Sequence, residues 1–219
     1  MYIVIIGAGK VGYRLYQDLK EEEHEVLVIE KDIAKCECLE NEMGSALLCG
    51  NGCEVTVQTS AGVDRADIFI AITGEDEDNL AACQLAKEKF AVPQVISSIN
   101  KPKNEHIFRK LGINCTVDVV TLILNSIKIQ ASIWPLITLL NVENNKEIVL
   151  AKVAAMSSKV AGRILGELAL PSSVVVSLLI RNGECIIPSP DTILEMGDEL
   201  VCWVSSSEDK SVLHSIFTV

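Results

Sequence analysis

Near its start the chain reads Ile3-Val4-Ile5-Ile6-Gly7-Ala8-Gly9-Lys10-Val11-Gly12, an apolar run followed by regularly spaced glycines. β-Branched residues dominate the run, as in a parallel strand buried on both faces. In the spacing G-x-G-x-x-G, Gly7 permits a tight turn, Gly9 lets the backbone approach a pyrophosphate, and Gly12 lets the next helix pack against the strand. The pattern predicts a strand, a turn and a helix whose free N–H groups point towards phosphate groups.

A second apolar run, Val26-Leu27-Val28-Ile29, ends at the acidic residue Glu30, 18 positions after Gly12. Dinucleotide-binding folds place the acid that holds the ribose hydroxyls roughly 20 residues beyond the glycines. A Walker P-loop is excluded, because the G-x4-G-K spacing is absent and Val11 stands where Ser or Thr would hold magnesium. We therefore expect nucleotide contacts from Gly7, Ala8, Gly9, Lys10, Val11, Gly12, Glu30 and Lys31.

Patterns typical of helices and strands continue to alternate after Glu30, and Asp32 can cap a helix that Gly44 ends. Helices are expected over residues 11–22, 32–43, 55–61, 76–90 and 103–111, and strands over residues 46–49, 67–72 and 94–98. Unbroken alternation of this kind predicts an α/β fold, a Rossmann-like doubly wound parallel sheet with helices on both faces.

The longest apolar stretch covers residues 119–140. It is not typical of a membrane span, because Lys128 lies near its middle and a mid-span lysine costs about 2.5–3.5 kcal/mol. Apolar residues on more than one face predict a helix buried on two sides, against its own sheet and against a second copy of the chain. Pro135 would break this helix, and the polar residues 141–146 suit a domain boundary.

Beyond residue 147 the pattern changes to short strands and turns, with strands expected over residues 148–154, 174–180, 186–187 and 199–204. Helices are expected over residues 161–168 and 207–217. The pair Asn182-Gly183 is a hairpin signal between two of the strands. We therefore expect two domains, a nucleotide-binding domain over residues 1–140 and a small α+β domain over residues 141–219.

Composition excludes several classes of function. The net charge of −11 disfavours nucleic acid and anionic membrane surfaces, because both are bound by clustered Lys and Arg. The eight cysteines lack the C-x2-C pairs of zinc sites, so we expect reduced, cytosolic thiols that pack as small buried residues. The acidic run Glu75-Asp76-Glu77-Asp78 suits a helix N-terminus, where carboxylates are favourable, better than a metal site.

Both halves of the chain carry motifs in a distinctive order. Those of the first half are Gly7-x-Gly9-x-x-Gly12, Glu30, Gly50-Asn51-Gly52, Ala66-Asp67, Thr73-Gly74, Asp78-Asn79 and Phe108-Arg109-Lys110-Leu111-Gly112. Those of the second half are Val160-Ala161-Gly162-Arg163-Ile164-Leu165-Gly166-Glu167-Leu168, Ile180-Arg181-Asn182-Gly183-Glu184, Ile187-Pro188 and Glu195-Met196-Gly197-Asp198-Glu199-Leu200-Val201. In this order and spacing the chain resembles, over nearly its whole length, the regulator of K⁺ conductance (RCK) family. Members of this family are peripheral nucleotide-binding subunits of bacterial and archaeal potassium uptake systems of the TrkA and KtrA types.

The resemblance implies roles for several residues. Glu30 would bind the ribose hydroxyls, and Asn51 would lie near the adenine. Thr73, followed by Gly74, would line the ribose and phosphate side, and Lys10 stands where a basic residue meets terminal phosphates. The ligand would be NAD(H) or an adenine nucleotide (ATP, ADP or AMP), all of which contain the same adenosine half.

The resemblance also implies an assembly. A homodimer held by the crossover helix would stack into a tetramer or octamer ring and gate an integral membrane potassium-translocating subunit from the inner face of the cell membrane. Some relatives bind a metal through a Glu after the sixth strand, where this chain has Val117-Asp118-Val119-Val120, so we expect no metal. The usual Ala-Arg at the end of the fifth strand is Ser97-Ser98 here, which argues against a phosphate contact from that strand.

The alternative is a nicotinamide-dependent oxidoreductase, which would share the glycine motif. Hydride transfer needs a substrate pocket and a proton donor or acceptor. After residue 147 the only side chain that titrates near neutral pH is His214, in a terminal segment. We therefore expect a ligand-sensing subunit that is not an enzyme.

Overall fold

The computed structural model describes residues 1–131, 134–142, 146–153 and 160–217. The chain divides into two units, Met1–Leu122 and Ile123–Val219. Within the described ranges, no helix combines the length and the apolar character that crossing a membrane requires.

The first unit contains a parallel six-stranded sheet flanked by helices. Its strands are β1 (Tyr2–Ile6), β2 (Glu25–Glu30), β3 (Leu47–Cys49), β4 (Ile68–Ala71), β5 (Gln94–Ile99) and β6 (Cys115–Asp118). Its helices are α1 (Lys10–Glu21), α2 (Ile33–Met43), α3 (Val55–Ser60), α4 (Asp76–Glu88) and α5 (Glu105–Lys110), and α6 (Val119–Ala131) continues into the second unit. The strand order β3-β2-β1-β4-β5-β6 confirms the predicted Rossmann-like, doubly wound sheet.

β1 lies in the middle of this sheet, and all five of its residues are buried. Val4 packs into one apolar cluster with Phe69, while Ile5 packs into a second cluster with Val28. Successive side chains of a strand point to opposite faces of the sheet. Because helices cover both faces, the strand must be apolar at every position, which is the pattern seen in the sequence.

The second unit contains an antiparallel five-stranded sheet and a terminal helix, which confirms the small α+β domain. The elements are β7 (Leu136–Val142), β8 (Lys146–Lys152), β9 (Val175–Arg181), β10 (Glu184–Ile186), β11 (Glu199–Val204) and α7 (Ser207–Phe217), with the strand order β10-β9-β11-β8-β7. The predicted hairpin turn is confirmed, since Asn182 and Gly183 have φ angles of 52° and 82° between β9 and β10. Leu213 and Phe217 of α7 are buried in the core of this unit.

The helix predicted over residues 119–140 forms as α6, although no residue of α6 is buried within the single chain. The prediction is wrong for residues 136–140, which belong to β7. β7 pairs antiparallel with β8, with Leu136 opposite Ala151. A short, buried apolar run is compatible with either a strand or a helix, so its hydrophobic periodicity alone could not distinguish the two. The polar run that we expected at a domain boundary lies between two strands of one sheet, and the units divide at residue 122 instead of 140. Residues 132–133 and 143–145 lie outside the described ranges.

The helix predicted over residues 161–168 is also wrong. Only a 3₁₀ turn, Leu165–Glu167, forms there, and Gly162 has a φ of 80° that a helix does not use. The backbone of this segment bonds to a distant part of the chain instead: the Leu165 N–H donates to the carbonyl of Thr192, and Ile164 forms an antiparallel bridge with Ile193. Tertiary pairing therefore overrides the local helical pattern.

The expectation of eight reduced, buried cysteines is correct only in part. Cys83 and Cys202 are buried free thiols, and burial raises the pKa of each to about 12. A disulfide joins Cys36 in α2 to Cys49 at the end of β3, with their Cα atoms 6.1 Å apart. The remaining cysteines, of which Cys38 is one, are free and at least partly exposed. The fold brings α2 beside β3, and this proximity cannot be deduced from cysteine spacing.

We expect alkylation of the protein, unfolded without a reductant, to label six thiols, because the Cys36–Cys49 disulfide protects two of the eight cysteines. Reduction before alkylation should raise the number to eight, as counted by mass spectrometry of the intact chain. In the control variant Cys36→Ser, all seven remaining thiols should react without a reductant. Eight labelled thiols in the unreduced wild-type protein would contradict the disulfide.

Candidate functional site

A cavity of about 250 Å³ lies at the carboxyl ends of β1, β2 and β4. Doubly wound sheets bind their ligands at this position, where the strand order reverses. The lining includes seven residues that the sequence singled out: Gly7, Gly9, Glu30, Lys31, Asn51, Thr73 and Gly74. The other four candidates, Ala8, Lys10, Val11 and Gly12, do not line the cavity, although Ala8 contributes through its backbone, as described below.

The lining also contains residues that we did not predict: Ile6, Ile29, Lys35, Gly50, Gly52, Cys53, Ile72, Glu75 and Asp78. Three of them, the isoleucines, lie within one residue of the carboxyl ends of their strands. This position in the sequence could have predicted that they line the cavity. Lys35 lies one helical turn beyond Lys31, and Asp78 belongs to the acidic run. Lys35 belongs to no motif, and the Asp78-Asn79 motif was given no role in binding. The place of both charges on the lining depends on how α2 and α4 pack against the sheet.

The glycine loop fits closely against its neighbours at two positions and is open at a third. Gly7 has a φ of 105°, and a Cβ on Gly12 would lie only 2.0 Å from the carbonyl oxygen of Gly7. A Cβ on Gly9 would meet no atom within 4 Å. Gly9 is also the N-cap of α1, whose first turn carries no acidic residue. The open space therefore lies beside a helix N-terminus that favours an anion such as a phosphate.

The carboxylate of Glu30 joins two loops of the lining. Its side chain accepts hydrogen bonds from the N–H of Ala8 at 2.7 Å and from the N–H of Asp32 at 2.9 Å. Glu30 is only 6% exposed. Each carboxylate oxygen has a second lone pair, so Glu30 can hold both loops and still accept hydrogen bonds from a ligand's hydroxyl groups.

Asn51 and its two neighbouring glycines form the wall at the end of β3. The Asn51 side-chain oxygen accepts a hydrogen bond from the N–H of Cys53 at 3.0 Å, which fixes the turn. The Gly50 N–H donates to the carbonyl of Glu30 at 2.8 Å, and a Cβ on Gly52 would lie 2.7 Å from the side chain of Ile6. The lack of a side chain at Gly52 therefore lets this turn lie close to β1, and the Gly50 hydrogen bond ties it to β2.

Buried polar side chains hold the loop that carries Thr73. The side-chain oxygen of Asn79 accepts hydrogen bonds from the Thr73 N–H at 2.9 Å and from the Thr73 hydroxyl at 2.7 Å, and its NH₂ group donates to Ser98. Ser98 and Ser97 are buried and do not line the cavity. The end of β5 thus supports the site from behind.

Asp76 stabilises the same region. Burial alone would raise its pKa, but hydrogen bonds from the N–H of Asn100, the Asn104 side chain and the N–H of Lys101 together hold the pKa of this carboxyl below its usual value. The carboxylate is 2% exposed. An ionised Asp76 therefore ties the N-terminus of α4 to the segment that follows β5.

Two further acids of the run make ion pairs. Asp78 pairs with Lys31, with the Lys31 Nζ 2.5 Å from an Asp78 oxygen, and Glu77 pairs with Lys101 at 3.5 Å. Over the described part of the chain, no group of three or more His, Cys, Asp or Glu side chains is placed to hold a metal ion. Asp76, Glu77 and Asp78 thus each have a partner within the protein.

The sheet order, the glycine loop and the buried acid at the end of β2 define a domain of the Rossmann type. The family model of the TrkA-N domain matches residues 3–120, and that of the TrkA-C domain matches residues 148–208. The chain therefore belongs to the TrkA family, with a TrkA-N domain followed by a TrkA-C domain.

Two relatives illustrate this membership. The Trk system potassium uptake protein TrkA homolog of Methanothermobacter thermautotrophicus is 30% identical over 210 residues, which cover 96% of this chain and 96% of the relative. The TrkA homolog of Archaeoglobus fulgidus is 34% identical over 223 residues, which cover 99% of this chain but 50% of the relative. Some members of the family are thus about twice as long as this chain.

Solved structures show the same fold. The GsuK channel bound to NAD has a TM-score of 0.66 and 20% identity, covering 100% of this chain and 39% of that one. GsuK bound to ADP has a TM-score of 0.51 and 24% identity, with 57% and 32% covered. The Shewanella denitrificans Kef CTD in its AMP-bound form has a TM-score of 0.54 and 13% identity, with 60% and 80% covered. At these identities the likeness concerns the fold alone.

We expect Gly12→Ala to lower the free energy of unfolding by roughly 1–3 kcal/mol, because the new methyl group would overlap the Gly7 carbonyl and push α1 away from β1. The matched variant Gly9→Ala should lose about 1 kcal/mol or less, since its methyl group enters open space at a helix N-cap. Urea denaturation followed by circular dichroism measures both. Equal losses in the two variants would contradict the close approach at Gly12.

Proposed function

We propose that this chain is a nucleotide-sensing regulatory subunit of a membrane potassium transporter, acts on the cytoplasmic side through an integral membrane potassium-translocating partner, and catalyses no reaction. The observation that carries the proposal is the Glu30 carboxylate, buried on the cavity lining beside the glycine loop. Relatives along the whole chain are named potassium uptake proteins, which supports the potassium-transport role. Among the described residues that line the cavity, none is a histidine, the side chain that most often transfers protons near neutral pH.

The proposed ligand is NAD(H) or an adenine nucleotide, namely ATP, ADP or AMP. NAD, ADP and AMP are the ligands named for the three solved neighbours, and all of them contain adenosine monophosphate. Here Glu30 would accept the ribose hydroxyls, Asn51 would lie beside the adenine, and Thr73 would line the ribose and phosphate side. The N-terminus of α1 would attract the phosphates, with Lys10 contributing charge from the first turn rather than from the lining.

Regulation by exchange of nucleotides requires no covalent chemistry. A ligand shifts a conformational equilibrium only through its difference in affinity between the two states. Nucleotides that differ in their phosphates supply such a difference at the N-terminus of α1. A difference near 2.7 kcal/mol would change the open-to-closed ratio about 100-fold, which is sufficient for gating.

The test of this function reconstitutes the chain with its membrane partner in vesicles and records potassium flux while nucleotides are exchanged. We expect flux to change with the nucleotide, and the response to vanish in Gly9→Asp, which places a carboxylate where the phosphates would bind. The control Gln94→Asp adds the same charge at the amino end of β5, the opposite end of the parallel sheet, and should respond as the wild-type protein does. Flux that ignores the nucleotide in the wild-type protein would refute the gating role.

We also propose that two copies pair through α6, and that such dimers build the tetramer or octamer ring implied by the resemblance. Ile123 and Ile127 are 56% and 53% exposed in the single chain, and Leu122 and Leu124 are about as open. Four large apolar side chains on one short helix form a surface typical of a subunit contact.

We expect the double variant Ile123→Asp/Ile127→Asp to lower the mass measured by light scattering towards that of a monomer, since burying unpaired charges costs several kcal/mol. The matched control Ile33→Asp changes an isoleucine of α2 that is 70% exposed and should keep the wild-type mass. A wild-type protein that is already monomeric at micromolar concentration would exclude the pairing.

A further inference from the structure

The ion pair between Lys31 and Asp78 spans the cavity beside the proposed ribose site. Lys31 follows Glu30 directly at the end of β2, whereas Asp78 lies in the first turn of α4, which follows β4. β1 separates β2 from β4 in the sheet. Both side chains line the cavity, and their charged atoms are 2.5 Å apart. The pair therefore holds the Lys31 ammonium on the α4 side of the cavity.

In Rossmann-type folds, a cation next to the ribose-binding acid affects the choice between NAD and NADP. NAD and NADP differ by a phosphate on the ribose 2′-hydroxyl, and a basic side chain near the end of the second strand accommodates that phosphate. Lys31 occupies such a position by sequence. In the structure, however, its ammonium donates to Asp78, and this hydrogen bond with its charge raises the pKa of Lys31. The lysine is thus charged but engaged by a carboxylate.

We propose that Asp78 is a specificity-determining residue, which keeps the Lys31 ammonium away from the ribose so that the cavity accepts a 2′-hydroxyl and rejects a 2′-phosphate. The preferred ligands are then NAD(H), ATP, ADP or AMP, and NADP is rejected because its 2′-phosphate would meet the Glu30 carboxylate while Lys31 is held by Asp78. This inference rests on the proposed nucleotide-binding function and names the class of nucleotide that the site selects.

Two other charged residues of the cavity lining also affect the affinity for NADP relative to NAD. Glu75 is an acid on the lining and disfavours any added phosphate. Lys35, in the first turn of α2, is the other lysine of the lining and favours one. The effect of Asp78 must therefore be compared with that of a control variant that removes a nearby negative charge without freeing Lys31. It must also be measured in a variant that lacks Lys35.

The experiment measures NAD and NADP affinities of the full-length protein by titration calorimetry. We expect Asp78→Asn to strengthen NADP binding roughly tenfold to a hundredfold while NAD affinity changes little, because the released Lys31 can make a charge-assisted contact with the 2′-phosphate. Adding Lys31→Ala to Asp78→Asn should abolish this gain. Adding Lys35→Ala instead should preserve it.

The control Glu77→Gln removes one negative charge from the adjacent position, where the side chain is 70% exposed and pairs with Lys101 instead of Lys31. A gain for NADP as large in Glu77→Gln as in Asp78→Asn would overturn the proposal, as would a gain that persists without Lys31. Unchanged NAD binding with no NADP gain in Asp78→Asn would overturn the role of Asp78 alone. Failure of the wild-type protein to bind NAD or any adenine nucleotide would overturn the proposed function and this inference with it.

Discussion

The hydrogen bonds of one carboxylate hold the site together. Glu30 accepts from the N–H of Ala8, in the loop after β1, and from the N–H of Asp32, at the start of α2. The two loops follow different strands, so a single side chain sets their separation. Because Glu30 is nearly buried, loss of these bonds would leave its charge and the Ala8 N–H without partners, which is costly in a protein interior. The same carboxylate that shapes the glycine loop would thus meet the ribose.

The first half of the fold could be predicted because two independent features of the sequence, the glycine motif and the periodicity of apolar residues, agree there. The glycine motif required a strand before it and a helix after it, and the apolar periods supplied both. β1, β2, α2 and α4 accordingly begin or end within about two residues of their predicted bounds. In the second half no motif of this kind fixes the periods. The Asn182-Gly183 hairpin, β9, β11 and α7 were nevertheless placed within about one residue, whereas the helix predicted over residues 161–168 was wrong.

The features that escaped prediction depend on contacts between distant residues. β7 forms where a helix was expected because β8 provides a pairing partner, and the segment around Ile164 stays extended because it bonds to residues near Ile193. The Cys36–Cys49 disulfide and the Lys31–Asp78 ion pair are of the same kind, since only packing of α2 and α4 on the sheet brings these side chains together. The sequence therefore predicted the glycine loop, Glu30 and Lys31, whereas the ion pair that Lys31 makes with Asp78 depends on the tertiary structure.

The fold alone does not assign a function, because Rossmann-type domains serve enzymes and sensors alike. The proposed function rests on the site, because a buried acid and a glycine loop together would select an adenosine nucleotide with a free 2′-hydroxyl. Mass spectrometry of the small molecule released when the purified protein is denatured tests this claim most directly. We expect NAD(H), ATP, ADP or AMP from the wild-type protein, and none from Glu30→Ala purified in parallel. Release of NADP, or of no nucleotide from the wild-type protein even after incubation with all four candidates, would contradict it.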